Sequence, residues 1–148
     1  MYGISKLASE RITLSHGFSV YQGVNFWNSD GSFIQKWKSC IRSRKKVILY
    51  NDKHIRFFSN PTDISKHILN LIIINNNKIN YPLKCWKIKI VDVFYILKNK
   101  YSDKSKFIIK NSYENNFDKL IEEINDEIKI IELNHDELLQ LVNEVKII

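Results

Sequence analysis

YGISKLASER, residues 2–11, sets Tyr2 and Lys6 four positions apart in a stretch whose apolar residues Ile4, Leu7, Ala8, Ile12 and Leu14 recur at roughly helical spacing. On a helix these two positions share one face. A phenol has an ordinary pKa of about 10 and becomes a usable acid or base near neutrality only beside a cation, which an ammonium one turn away supplies. The spacing is common on helix surfaces, so its meaning depends on what surrounds it. Gly17 stands where a left-handed helix cap belongs, and the expected helix runs from Tyr2 to about His16.

Working outward, FSVYQGV (residues 18–24) is β-branched and aromatic and predicts a strand. The turn residues 28–32 follow, and then a helix with Phe33, Trp37, Cys40 and Ile41 on one stripe. KVILY (46–50) is a short strand. Pro61 ends the next extended stretch, and Thr62 is the expected cap of a helix carrying Ile64, Ile68, Leu69 and Ile72. The triplet Asn75–Asn77 stops that helix. INYPLKCWKIKI (79–90) is extended, with Pro82 favouring an edge or loop, and a helix is entered near Asp92. Further along, the pattern predicts a strand at KFIIK (106–110), a helix over 116–127, a strand at IKIIEL (128–133), and a final helix capped by Asn134 with Glu137. Alternating strands and helices argue for an α/β organisation in a single domain over residues 1–148.

The chain carries 23 Lys and Arg against 16 Asp and Glu, for a net charge of +7. That balance is uneven: residues 1–112 carry +14 and residues 113–148 carry −7. A basic body suits an anionic ligand such as a nucleotide sugar, or nucleic acid. The basic stretch Lys36, Lys38, Arg42, Arg44, Lys45 and Lys46 beside Trp37 is the candidate nucleic-acid patch. A solvated helix face next to a core tryptophan is the preferred reading, and nucleic acid is disfavoured as a partner. No stretch approaches the ~18 apolar residues of a membrane span, which leads to the expectation of a soluble, cytoplasmic protein without a membrane partner. Cys40 and Cys85 have no CxxC partner or accompanying histidine cluster and are expected to be free thiols, with no metal site. The four glycines, at 3, 17, 23 and 31, compose neither a GxGxxG nor a P-loop.

Taken in order, four segments resemble the extended short-chain dehydrogenase/reductase family, polysaccharide-biosynthesis branch, which includes UDP-N-acetylglucosamine 4,6-dehydratases. YGISKLASER is similar to the branch's Tyr-Gly-x-Ser/Thr-Lys helix. FSVYQGVNFWNSDGSFIQKW (18–37) resembles its VxRxGNVxxSxGSVxPxF strand and loop, with Asn25, Ser29, Gly31 and Ser32 on matching positions. HIRFFSNPTDISKHIL (54–69) is similar to MTRFWIT and the helix after it, matching Arg56 and Phe57, and residues 78–97 are similar to IFxPKxxSxKIxDLxxAI.

The resemblance implies an α/β fold equivalent to the C-terminal, substrate-side part of an extended short-chain dehydrogenase fold, lacking the N-terminal Rossmann half. Residues 1–97 hold the dehydratase-like segments, and 98–148 form a diverged acidic C-terminal tail. It implies Tyr2 as catalytic tyrosine and Lys6 as the lysine that lowers its pKa and binds the nicotinamide ribose of NAD(P). Asn25, Ser29, Ser32 and Arg56 would bind a UDP-sugar, although turn chemistry alone accounts equally well for Asn25 and Ser32. The family's Arg, Pro and RPGEK positions fall on Gln22, Gln35 and residues 112–116, which weakens the substrate-phosphate grip. The expectation is a truncated, inactive dehydratase- or epimerase-like chain that binds no NAD(P) alone. Its partner would be a separate Rossmann-half polypeptide or a second copy of the chain.

Overall fold

The computed structural model describes residues 2–27, 31–74, 78–110 and 128–145. The expected helix at 116–127, the triplet Asn75–Asn77 and Ser29 lie outside the described residues.

Helix α1 (Tyr2–Ser15) stops at Gly17, whose φ of +79° is the left-handed conformation expected there. The Gly17 amide donates to Leu14 O and the Phe18 amide to Thr13 O, the paired bonds of a Schellman cap. The strand expected at 18–24 is only two residues long, and a second short strand forms just beyond it. Strand β1 (Val20–Tyr21) and β2 (Asn25–Phe26) enter different sheets, separated by the break around Gly23. Helix α2 (Phe33–Arg42) follows, then β3 (Val47–Leu49), β4 (Ile55–Ser59) and α3 (Pro61–Ile74). The cap of α3 is Asn60 and not Thr62: Asn60 Oδ1 accepts from the Thr62 amide at 2.9 Å, and Pro61 takes the first helical position, where its missing N–H costs nothing. Strands β5 (Ile79–Asn80) and β6 (Lys84–Lys89) flank Pro82. Helix α4 (Ile90–Tyr101) begins two residues before Asp92, directly at the end of β6. Strand β7 (Phe107–Ile109), β8 (Lys129–Glu132) and α5 (His135–Glu144) complete the described chain. The Asn134–Glu137 capping box is present in both directions.

The central sheet has the order β2-β4-β6-β8, with β4 and β6 antiparallel and the outer pairs parallel. Two small parallel pairs, β1-β5 and β3-β7, flank it. The period-2 alternation of β4 and β6 sorts the core. Phe58 and Ile88 join Val93, Phe94 and Leu97 of α4, Ile34 and Ile41 of α2, and Leu138 and Val142 of α5 in the larger cluster. Phe57 and Cys85 form a smaller one with Ile128. The α2 stripe is wider than its sequence suggests. Ile34 and Lys38 are buried along with Ile41, while Phe33, Trp37 and Cys40 are only partly covered. In α3 only Ile64 of the expected stripe is buried, and Leu69 and Ile72 face outward.

Candidate functional site

The central sheet brings two of the sequence-derived residues together. Asn25 on β2 lies opposite Phe58 of β4, two positions from Arg56 on the same strand, so the pleat assigns Asn25 and Arg56 to one side of adjoining strands. The Asn25 carboxamide donates Nδ2–H to Phe57 O at 3.1 Å, which fixes its plane and leaves its oxygen as an acceptor of the kind a sugar hydroxyl needs. Arg56 is exposed and pairs across the ladder with Ile88. A guanidinium so presented can hold phosphate oxygens with two parallel bonds.

Ser32 is placed by a helix cap. Its hydroxyl accepts the Gln35 amide at 3.3 Å and caps α2. Gly31 precedes it with φ +75°, and the Gly31 amide donates to Gln35 Oε1 at 2.9 Å. Gln35, in the place where the resembled pattern has proline, thus closes the turn with its side chain and its amide. Ser32 thus makes the local bond that turn chemistry requires, whereas the Asn25 bond runs across strands to β4.

Positions 2 and 6 are one turn apart at the start of α1. Lys6 is exposed. This helix lies against β1 of the β1-β5 pair, and Gln22 ties it to the chain that follows by donating Nε2–H to Glu10 Oε1 at 3.3 Å. Tyr2 and Lys6 therefore share α1, Asn25 and Arg56 share β2 and β4, and Ser32 stands at the start of α2.

Three features had no signal in the sequence. Lys38, assigned above to a basic surface patch, is instead buried, with Nζ donating to Val142 O and Val145 O at the end of α5. Burial, and secondarily the nearby Lys100, lowers its pKa. Trp37 is likewise committed, its indole N–H donating to Ile48 O at 3.2 Å, so the patch loses both its central lysine and its stacking residue. Tyr21 Oη and His67 Nδ1 are buried without a hydrogen-bond partner, their rings edge to face with centroids 5.7 Å apart, and burial raises the Tyr21 pKa. An open depression of about 470 Å³ on α5, lined by Asp136, Leu139, Gln140, Asn143 and Glu144, contains none of the candidate residues. Among the described residues no cluster of His, Cys, Asp and Glu could hold a metal ion, and no helix is long and apolar enough to cross a membrane.

No protein-family model matches the chain, and no curated protein matches it by sequence. Two solved structures share its fold. RMD from Pseudomonas aeruginosa, solved in complex with NADPH, superposes with a TM-score of 0.58 at 14% identity, over 96% of this chain and 49% of that one. The PbgP3 protein from Burkholderia pseudomallei gives 0.56 at 15% identity, over 97% and 53%. The chain spans about half the length of these structures. The expected α/β fold is thereby shown, shared with part of each of these structures.

Proposed function

We propose that these residues form the nucleotide-sugar side of a short-chain-dehydrogenase-like enzyme of the dehydratase or epimerase type, acting on a UDP-sugar. The observation that carries this reading is the shared sheet side of Asn25 and Arg56, a carboxamide and an exposed guanidinium on adjoining strands, in a fold also found in a structure that holds NADPH. Ser29 and Ser32 would add hydroxyls to the same ligand. Tyr2 would act as the acid or base on the sugar, with Lys6 lowering the phenol pKa.

Among the described residues no glycine turn fits a dinucleotide. The glycines with positive φ, Gly17 and Gly31, sit at a helix end and at a helix-capping turn, and neither forms a phosphate-cradling loop. Lys6 would contribute only a ribose contact, and no hydride step is derived for this chain.

Titration calorimetry tests the reading. UDP-N-acetylglucosamine is expected to bind at micromolar concentrations, Arg56→Ala to weaken it about tenfold, and NAD(P) to give no heat. Micromolar NAD(P) affinity with no response to UDP-N-acetylglucosamine would overturn it.

A second reading, activity in concert with a separate dinucleotide-binding polypeptide, is favoured by one observation. Ile4, Leu7 and Ile12 of α1 and Leu69, Ile72, Ile73 and Ile74 of α3 are all more than half exposed, on helices that lead into the two-stranded parallel β1-β5 pair. Parallel sheets are ordinarily covered on both faces, and apolar groups grouped in this way mark an interface. Co-purification of such a polypeptide and restored turnover of UDP-N-acetylglucosamine would establish it.

A further inference from the structure

We propose that the carboxyl end of α5 positions Asn25 and Ser32 relative to one another, acting through Trp27 and Lys38. The substrate role of Asn25 and Ser32 rests on the reading above; the positioning does not.

Trp27 directly follows β2, which carries Asn25, and it is almost fully buried, with its ring edge-on to Phe58 at 5.2 Å. Its indole N–H donates to Leu141 O at 3.1 Å. Lys38 sits on α2, whose cap is Ser32, and donates to Val142 O and Val145 O. Two carbonyls from the last turn of α5 and that of its cap, Val145, thus receive donors from the segments on either side of the Gly31–Ser32 turn. Carbonyls in a last helical turn have no partner within the helix, and the negative end of the helix dipole favours a cation there. The other end of α5 is fixed by the Asn134–Glu137 box as the chain leaves β8 of the central sheet. α5 therefore spans from the sheet to α2 as a brace. An apolar side chain would fill the Lys38 space at less desolvation cost, so an ammonium here serves geometry more than stability.

Hydrogen exchange and calorimetry on the whole chain test the brace, with UDP as the probe. Lys38→Met removes both bonds at similar volume, and Trp27→Phe keeps an aromatic ring while deleting the indole donor. Both are expected to raise exchange at least tenfold in peptides covering 25–27 and 31–36, which contain the Trp27 amide bonded to Ser59 O and the Gln35 amide bonded to Ser32 Oγ. Both should weaken UDP at least fivefold. Lys38→Arg, which retains the charge and donors, should recover part of each loss. Ile64→Ala, on α3, lowers the melting temperature but should change neither readout. Faster exchange confined to α5, or UDP affinity unchanged in both variants, would overturn the proposal. If the wild-type chain takes no UDP, the nucleotide reading falls while the exchange comparison still decides the positioning.

Discussion

Gln22 donates to Glu10 from the segment just after β1 back to the last half of α1, at 3.3 Å to one carboxylate oxygen and 3.5 Å to the other. Both distances are long, and the donor is neutral where the resembled pattern has an arginine. Gln22→Arg would make the bond charge-assisted and is expected to raise stability by about 0.5 kcal/mol, within the range of partly exposed ion pairs. The check is a urea midpoint that rises with the m-value unchanged.

The same helix-ending motif occurs twice with different residues at its left-handed position. Gly17 closes α1 at φ +79°, and Arg44 closes α2 at φ +53°, with the Arg44 amide on Ile41 O and the Lys45 amide on Cys40 O. A side chain in that conformation costs about 1 kcal/mol. Arg44→Gly is therefore expected to stabilise the chain by about 1 kcal/mol, and Gly17→Ala to destabilise it by a similar amount although a methyl there meets no atom within 4 Å. Opposite shifts of the thermal midpoint would verify the pair; shifts of the same sign would refute the argument.

The features legible in the sequence are the local ones. The Asn134–Glu137 box and the Gly17 stop depend on residues within a few positions of one another, and both occur as read. The Asn25–Arg56 relationship depends on the β2-β4 register, which links residues more than thirty apart, so the sequence offered each alone. Lys38 reads as a surface cation because its acceptors are at Val142 and Val145, about a hundred residues on. The strand expected over 18–24 shrinks to Val20–Tyr21, paired with Ile79–Asn80, while Asn25–Phe26 just beyond its end pairs with Phe58–Ser59 in another sheet. Pairing at that distance overrides β-propensity.

The interior and the exposed apolar helices should respond differently to substitution. Phe94, 1% exposed and in edge contact with both Trp37 and Phe107, joins α2, α4 and β7. Phe94→Ala is expected to cost about 3–5 kcal/mol, enough to unfold a chain of ordinary stability. Leu69→Ser with Ile72→Ser, on the outward side of α3, should change unfolding free energy by well under 1 kcal/mol while reducing concentration-dependent light scattering. A large stability loss from the double serine variant would mean that this face is packed.

The two thiols differ in environment and should differ in accessibility to an alkylating reagent. Cys85, on β6, is 1% exposed against Phe57 and Ile128, and burial pushes its pKa up to about 11. Cys40 is partly exposed on α2. Since the thiolate is the nucleophile, iodoacetamide at pH 8 should label Cys40 and leave Cys85 unmodified until the chain unfolds. The linkage has a definite sign. Folding favours the protonated Cys85, so its contribution to stability is complete below the ordinary thiol pKa near 9 and is lost as the pH rises toward about 11, where the unfolded chain has already released the proton. Cys85→Ala removes that dependence along with part of the core packing. The difference in unfolding free energy between the wild-type chain and the variant should therefore be constant from pH 6 to 8 and shrink between pH 9 and 11. A difference that stays constant through that interval would show that Cys85 ionises as an ordinary exposed thiol does.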